Sequence, residues 1–211
     1  MSARKVIQTI QSLSKVTSPG PSPVYTPVHV SRALLIIGDE GPVGRVELSR
    51  KLGLGEGAAR TIIRHLVKAK VVTIATEGCR LTPSGLTLYR SLRLKLSEAR
   101  VINARQLALD KSSVAVLVKG GAKLVKRGIE QRDAAVRAGA TGACTLVFKD
   151  GKLRMPMGQE EEGALDSNDP LFQEIEQVFA PRDNDVIAIA SAPTQQVAEH
   201  CVVAAALTLV P

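Results

Sequence analysis

The sequence predicts an α+β protein of two domains, and three observations support this. Apolar residues first repeat at helical spacing, and from Ser113 onward buried-strand runs alternate with helical segments. The length of 211 residues suffices for two small domains. Residues 1–112 carry 18 basic and 7 acidic residues, whereas residues 113–211 carry 10 and 13. We therefore predict an N-terminal arm and linker over 1–25, a first domain over 26–105 and a second over 106–211.

Composition narrows the class of protein. The chain is 45% hydrophobic with a net charge of +8, so a packed core is expected together with a basic surface. A basic half joined to a slightly acidic half suggests a polyanion-binding module attached to a domain with another task. A generic basic protein is the alternative interpretation.

Cysteine usage and hydropathy indicate a cytoplasmic protein. The three cysteines, Cys79, Cys144 and Cys201, are far apart, and no CxxC or CxH spacing suggests zinc. The longest apolar run, residues 202–210, is too short to span a bilayer, and the N-terminus lacks a signal-peptide core. We expect no metal, no other cofactor and no membrane partner.

The arm and linker precede the first domain. Residues 4–16 have the spacing of a short amphipathic helix, which we interpret as a packing or dimerisation arm. The segment Ser18-Pro19-Gly20-Pro21-Ser22-Pro23 follows as an irregular linker.

The first domain has the pattern of helices followed by a hairpin. Helices are predicted over Val28–Gly38, Gly44–Leu52 and Gly55–Lys70, with Gly38 ending the first. Strands are predicted over Val71–Ala75 and Cys79–Leu81 around a Glu77-Gly78 turn. A further helix opens at Thr82-Pro83-Ser84-Gly85, and its apolar stripe extends through residues 84–105. Within this stretch Leu92, Leu94 and Leu96 also alternate as in a strand.

This element order and two motifs resemble the winged helix-turn-helix transcription regulators of bacteria and archaea. The motifs are VELSRKLGLGEGAARTIIRHLVKAKVV, with its helix, tight turn and second helix, and CRLTPSG, which matches the exit from the wing. The resemblance covers about a third of the chain and implies double-stranded DNA as partner. Gly55 and Gly57 depart from the usual Ser or Thr caps, so we expect the second helix to fray at its start.

The expected DNA contacts follow from the face that the second helix buries. Ala59, Ile63 and Leu66 form the predicted core stripe, which turns the basic side chains toward the major groove. Arg60 and Arg64 are four residues apart and suited to guanine edges, and Thr61 to a thymine methyl group or a phosphate. Solvated surface charge is the alternative interpretation, and RNA is disfavoured because aromatic residues are scarce. The predicted DNA-binding residues are Arg45, Arg50, Lys51, Ala58, Arg60, Thr61, Arg64, Lys68 and Arg80.

The second domain has the order β-α-β-β-α-β plus a last helix, which predicts a ferredoxin-like or related α/β sandwich. The strands are predicted over 114–118, 143–148, 152–155 and 185–190, with helices over 128–139, 170–179 and 193–207. An exposed acidic loop is predicted over 159–163. The whole chain, and GIEQRDAAVRAGATGACTLVFKDGKLRMP in particular, resembles a little-characterised archaeal group of winged-helix proteins with such a C-terminal domain.

Three places in the second domain are candidate ligand sites, each with a structural alternative. Arg132 and Asp133 interrupt an apolar helix face and suit either a ligand or an ion pair. Lys119 and Lys123 flank two glycines that suit either an anion cradle or a plain loop. Ser191 and Thr194 precede the last helix, where they suit an anion or a helix cap.

No catalytic constellation is evident, so we predict a non-enzymatic regulator. Three histidines form no triad or metal pattern, and His65 is interpreted as a packing or surface residue. The second domain is expected to dimerise the protein, sense a small-molecule effector, or both, because two-fold pairing doubles the contacts on a palindromic operator. A protein-interaction scaffold and an enzyme with an accessory winged helix are the alternative functions.

Overall fold

The computed structural model describes residues 8–12, 24–107, 112–156, 164–165 and 167–210. The chain divides into two compact units, Met1–Leu92 and Arg93–Pro211. Of the predicted arm helix over 4–16, residues 8–12 are described and helical, with Ile10 buried. The linker over 18–23 and the acidic loop over 159–163 lie outside the described residues. Among the helices that are described, none is long and apolar enough to cross a membrane.

The N-terminal unit follows the predicted order of three helices, a hairpin and a fourth helix. Val43, between the first two helices, exchanges two backbone hydrogen bonds with Cys79 (3.1 and 2.9 Å) and so forms a one-residue bridge to the hairpin. The elements are α1 (Pro27–Glu40), α2 (Arg45–Leu52), α3 (Glu56–Lys68), β1 (Val72–Ala75), β2 (Gly78–Leu81) and α4 (Pro83–Arg93).

The core of this unit comes from one face of each helix. Helix α1 packs against α2 and β2, and α3 packs against α2 and β1. The side chains of Leu34, Leu48, Ile62, Leu66 and Leu92 are all at most 2% exposed. Burying a residue of this size contributes about 1.5–3 kcal/mol, so this core is the main stabilising term for the unit.

Helix α1 begins with a histidine that acts as a hydrogen-bond acceptor. The Thr26 backbone N–H donates to Nδ1 of His29 at 3.1 Å, in the place that Glu or Gln takes in a capping box. Burial, together with the nearby charge of Arg32, lowers the pKa of His29 to about 4. A protonated imidazole has no free acceptor nitrogen, so the bond requires neutral His29.

We expect the stability of the N-terminal unit to fall as the pH drops from about 6.5 to about 4. In this window an unfolded His29, with its ordinary pKa of 6.5, binds a proton that the folded side chain excludes, so protonation favours unfolding. His29→Gln keeps an acceptor that does not titrate and should lessen this pH dependence. Denaturant unfolding followed by tyrosine fluorescence measures it, since both tyrosines, Tyr25 and Tyr89, lie in this unit. The same pH dependence in both proteins would contradict the assignment.

The first helix of the N-terminal unit ends later than predicted. Helix α1 passes through Gly38 and ends at Glu40, where Gly41 adopts a φ of 83°. Gly38 serves close packing instead, because a Cβ atom there would lie 2.2 Å from the Tyr89 ring.

The helix predicted over 84–105 is wrong beyond Arg93. Leu96 bridges Val118, and Arg100–Ile102 forms β3, which pairs with the next strand. The alternation of Leu94 and Leu96 was therefore the better guide: Leu96 is buried and Leu94 is 70% exposed. Pairing as an edge strand satisfies backbone groups that a longer helix would leave unpaired on the neighbouring strand.

The elements of the C-terminal unit after β3 are β4 (Ser112–Val118), α5 (Ile129–Arg137), β5 (Gly142–Lys149), β6 (Lys152–Arg154), α6 (Pro170–Phe179), β7 (Val186–Ala192) and α7 (Gln195–Leu207). In the described part of this unit, five strands form one antiparallel sheet of order β3-β4-β7-β5-β6. The predicted element order from β4 to the last helix is confirmed, and the Asp150-Gly151 turn has positive φ at both residues, as a two-residue hairpin requires.

The strand order makes this unit a related α+β sandwich and not a ferredoxin-like one. The last strand, β7, pairs with β4 on one side and β5 on the other, so it separates the two strands that α5 connects. A ferredoxin-like sheet would instead place the strand after the first helix at an edge. Order along the chain does not determine order across a sheet, which is why the sequence left both arrangements open.

Helices cover both faces of this sheet. Helices α5 and α7 pack on one face, against β5 and against β4 and β7 respectively. Helix α6 contributes Leu171, Phe172 and Ile175 to the core on the other face, where Leu117 and Ile187 also lie. The start of α6 is fixed by Asp169, whose side chain accepts hydrogen bonds from the Leu171 and Phe172 amides at 2.8 and 3.3 Å.

Candidate functional site

Helix α3 separates an apolar face from a basic one. Ala59, Ile63 and Leu66 are buried as predicted, and Ile62, at 0% exposed, joins them. Arg60, Arg64 and Lys68 are exposed and recur every four residues. They extend along about 12 Å of the helix axis with a gradual drift around it. The result is a continuous row of cations, which we call the cationic stripe.

The cationic stripe is not neutralised by carboxylates among the described residues. The sole acidic residue of α3 is Glu56, in its first turn, where a negative charge suits the helix dipole. Glu56 faces Arg45 of α2 instead, at 3.4 Å. The stripe therefore presents three positive charges to solvent and is electrostatically suited to an anionic partner.

Three other cations of the predicted set are engaged in ion pairs. Arg45 pairs with Glu56, and Arg80 on β2 pairs with Glu77 at 3.4 Å. Lys51 lies between Glu40 at 2.5 Å and Glu47 at 3.6 Å, and the hydrogen bond that its ammonium donates to Glu40 raises the pKa of Lys51. These exposed pairs are weak, so the cations can exchange to a phosphate, but each exchange gives up an existing partner.

The remaining predicted positions have smaller roles in the geometry. Arg50 is exposed on α2, and Ala58 is half-buried near the start of α3. The Thr61 hydroxyl donates to the Gly57 carbonyl at 3.0 Å, so its proton is already used and its methyl group and oxygen lone pair remain. Gly55 is the N-cap of α3 and provides no side-chain cap, as its sequence identity predicted.

His65 anchors α3 to the segment before α1, a contact that sequence reasoning missed. Its Nδ1 lies 3.1 Å from the Tyr25 hydroxyl, and the two rings meet edge to face. Burial raises the pKa of Tyr25, while the charge of Arg64 opposes this shift. Forty residues separate the two rings in sequence, and no periodic pattern pairs them.

At two of the three candidate ligand sites in the C-terminal unit, the groups proposed for a ligand take part in hydrogen bonds within the protein. In the loop of Lys119 and Lys123, the Gly120 amide donates to the Asp185 carboxylate at 2.8 Å and the Ala122 amide to the Asn184 carbonyl. A carboxylate at this loop disfavours an anion. Thr194 caps α7 by accepting from the Val197 amide at 3.4 Å, and Ser191 is buried 2.6 Å from the Ser113 hydroxyl.

At the third candidate ligand site, Arg132 and Asp133 lie in surroundings that differ from each other. Asp133 lies 3.9 Å from Arg137 along the exposed side of α5. Arg132 borders a cavity of about 370 Å³ between the start of α5 and β5, together with Arg127, Thr145 and Pro156. Sequence reasoning therefore selected one lining residue of this cavity, Arg132, and missed the others, and the whole lining comes from three separate segments. In the described ranges, no group of three His, Cys, Asp or Glu side chains is placed to hold a metal.

Comparison with known proteins identifies similar proteins, but the descriptions of those proteins name no activity. Residues 109–209 match the model of a family described as a domain of unknown function (DUF4443). A solved structure, the hypothetical protein PH0730 from Pyrococcus horikoshii OT3, is similar with 26% identity and a TM-score of 0.67. The alignment covers 86% of this chain and 91% of that chain, so it extends into both units. No curated protein matches. The expected likeness to an archaeal protein is thus confirmed.

Proposed function

We propose that the N-terminal unit is a winged helix-turn-helix that binds double-stranded DNA, and that the protein is a cytoplasmic, sequence-specific transcription regulator. The observation that carries this proposal is the cationic stripe of Arg60, Arg64 and Lys68 on the exposed face of α3. An α-helix fits the major groove, and arginine can pair bidentately with the O6 and N7 acceptors of guanine.

The elements around α3 support the same interpretation. Helix α2 and the turn at Gly53, which has a φ of 69°, precede α3 as the first helix and turn of such a motif do. The hairpin of β1 and β2, extended by Val43, takes the place of the wing and carries Arg80. Arg45, Arg50, Lys51 and Arg80 flank the stripe in sequence and are assigned to phosphates, where they set register without reading bases.

We further propose that the protein acts as a homodimer, because one reading helix contacts few base pairs. In the leucine-rich segment 84–105, which we considered for pairing, Leu92 and Leu96 are buried within the protomer, whereas Leu86 and Val101 are 37% and 56% exposed. The support for a dimer is the gain in contacts that two-fold pairing gives on a palindromic operator.

Binding of the full chain to labelled duplexes, followed by fluorescence anisotropy across a salt series, tests the function. We expect affinity to fall with salt, with a log–log slope of about −3 or steeper, since several phosphates are neutralised. Sequences selected from a random duplex pool should bind more tightly than scrambled ones. Light scattering on the same samples gives the mass of the bound species. Equal affinity for all duplexes, or a preference for single strands, would contradict the proposal.

A further inference from the structure

The C-terminal unit contains a cavity whose lining divides into an apolar part and a cationic part. It lies between the first half of α5 and β5, and Pro156, after β6, closes one side. Its volume of about 370 Å³ falls in the range of small-molecule sites. With about 30 Å³ for each water-sized group, it has room for about twelve non-hydrogen atoms.

We infer that this cavity binds a small carboxylate with an apolar body, the carboxylate facing Arg127 and Arg132 and the body lying against β5. This site is independent of the proposed DNA contacts, because every lining residue belongs to the C-terminal unit.

The apolar part of the lining accounts for the body of the ligand. Ile129, Ala143, Met155 and Pro156 line the cavity, and Ile129 and Met155 are 42% and 37% exposed. Large apolar side chains exposed around a concave surface gain free energy when an apolar ligand displaces water from them.

The cationic part accounts for the head group. Arg127 and Arg132 are both exposed and border the same cavity, and no acidic side chain lines it among the described residues. Their guanidinium groups make no ion pair with any described carboxylate, unlike Arg137, which is placed beside Asp133. A planar carboxylate suits a guanidinium because two parallel N–H···O bonds can form.

Backbone geometry brings the two arginines to the same opening. Gly128, between them, caps α5 with a φ of 75°, a conformation in which a side chain is strained. A Cβ atom there would make only ordinary van der Waals contacts, at 3.4 Å from both Thr145 and Pro156, so the positive φ is the reason for glycine at this position. The chain can therefore turn sharply into α5 while the flanking arginines stay at the rim.

The lining also indicates reversible binding. Cys144 is the one thiol in the lining, and burial raises its pKa to about 11, which keeps it protonated and weakly nucleophilic near neutral pH. Thr145 adds a hydroxyl-bearing residue to the lining.

Calorimetry of the full chain with octanoate tests the inference, with octanol and acetate as probes that lack the charge or the apolar body. The full chain is used because Glu160, Glu161 and Glu162 follow Pro156 in sequence, and any competition from them belongs in the measurement. We expect a Kd for octanoate of about 0.1–1 mM, as suits a ligand of ten non-hydrogen atoms. Octanol and acetate should each bind at least about tenfold more weakly.

Matched variants distinguish binding at this site from non-specific attraction of the anion to positive charge on the protein. Arg127→Gln and Arg132→Gln should each weaken octanoate about tenfold, whereas Arg137→Gln, on the same helix but outside the lining, should not. Ala143→Leu fills the cavity and should abolish binding. If that variant fails to fold, as judged by circular dichroism, the surface arginines still decide the question. Equal binding of all three probes, equal effects at Arg132 and Arg137, or no saturation up to about 10 mM would each overturn the inference.

Discussion

Replacing Arg60 or Arg64 by alanine is expected to lower the affinity of the full chain for its preferred duplex roughly ten- to hundredfold. The reason is that each guanidinium is exposed on α3 and unpaired with any described carboxylate, so nothing competes with a guanine edge for it. A good bidentate contact contributes about 1–3 kcal/mol of discrimination against the wrong base. The difference in affinity between preferred and scrambled duplexes should therefore become smaller.

The control variants remove a positive charge without removing a reading residue. Arg90→Ala takes an exposed cation from α4, outside the helix-turn-helix and the hairpin, and should change little. Lys51→Ala and Arg80→Ala should weaken all duplexes alike and reduce the salt slope by about one unit at most. Their effect is bounded because both cations already have acidic partners in the free protein.

Anisotropy at matched salt, with folding confirmed by circular dichroism, measures these effects. Two folded arginine variants that bind every duplex as tightly as the parent would show that α3 is not the reading helix. Equal losses on preferred and scrambled duplexes would reassign Arg60 and Arg64 to phosphate contacts.

Periodicity predicted which face of α3 is exposed because a buried stripe and its opposite face are properties of one helix. The positions of Ala59, Ile63 and Leu66 suffice to orient α3, and all three are buried. The start of α6 was equally predictable, since Asp169 followed by Pro170 is a local capping signal that needs no distant partner.

Interactions between segments that are distant along the chain could not be predicted from the sequence. The ion pair of Lys51 with Glu40 spans eleven residues, and the Tyr25–His65 contact spans forty. The cavity draws its lining from segments around Arg127, Cys144 and Met155, so it exists only once the sheet has formed. Strand order is non-local in the same sense, because β7 enters between β4 and β5 after both are in place along the chain.

Gly38 and Arg93 show how tertiary packing decides between two permitted local structures. A glycine can end a helix or allow close packing against it. At Gly38 the helix continues, and the absence of a side chain leaves room for the ring of Tyr89. The sequence after Arg93 is compatible with a helix or a strand. It forms a strand because β4 offers an unpaired edge with which β3 can form backbone hydrogen bonds.

Glycines also give the sharpest test of packing in the N-terminal unit, because two of them lie in helices with opposite surroundings. A Cβ atom on Gly85, in α4, would lie 2.0 Å from the backbone carbonyl oxygen of Val71, a contact that no side-chain rotation relieves. On Gly57, in α3, it would meet nothing within 4 Å.

Gly85→Ala is therefore expected to destabilise the N-terminal unit by about 1–3 kcal/mol or more, whereas Gly57→Ala should stabilise it by about 0.5–1 kcal/mol. Both changes replace glycine by alanine within a helix, so helix propensity favours the variant in each case and the clash alone reverses the sign at Gly85. Tyrosine fluorescence during denaturant unfolding of the full chain reports on this unit selectively, because Tyr25 and Tyr89 are its two fluorophores and the chain has no tryptophan. If Gly85→Ala unfolded at the same or a higher midpoint than the parent, the close approach of α4 to the Val71 carbonyl, and with it the described junction between the hairpin and α4, would be incorrect.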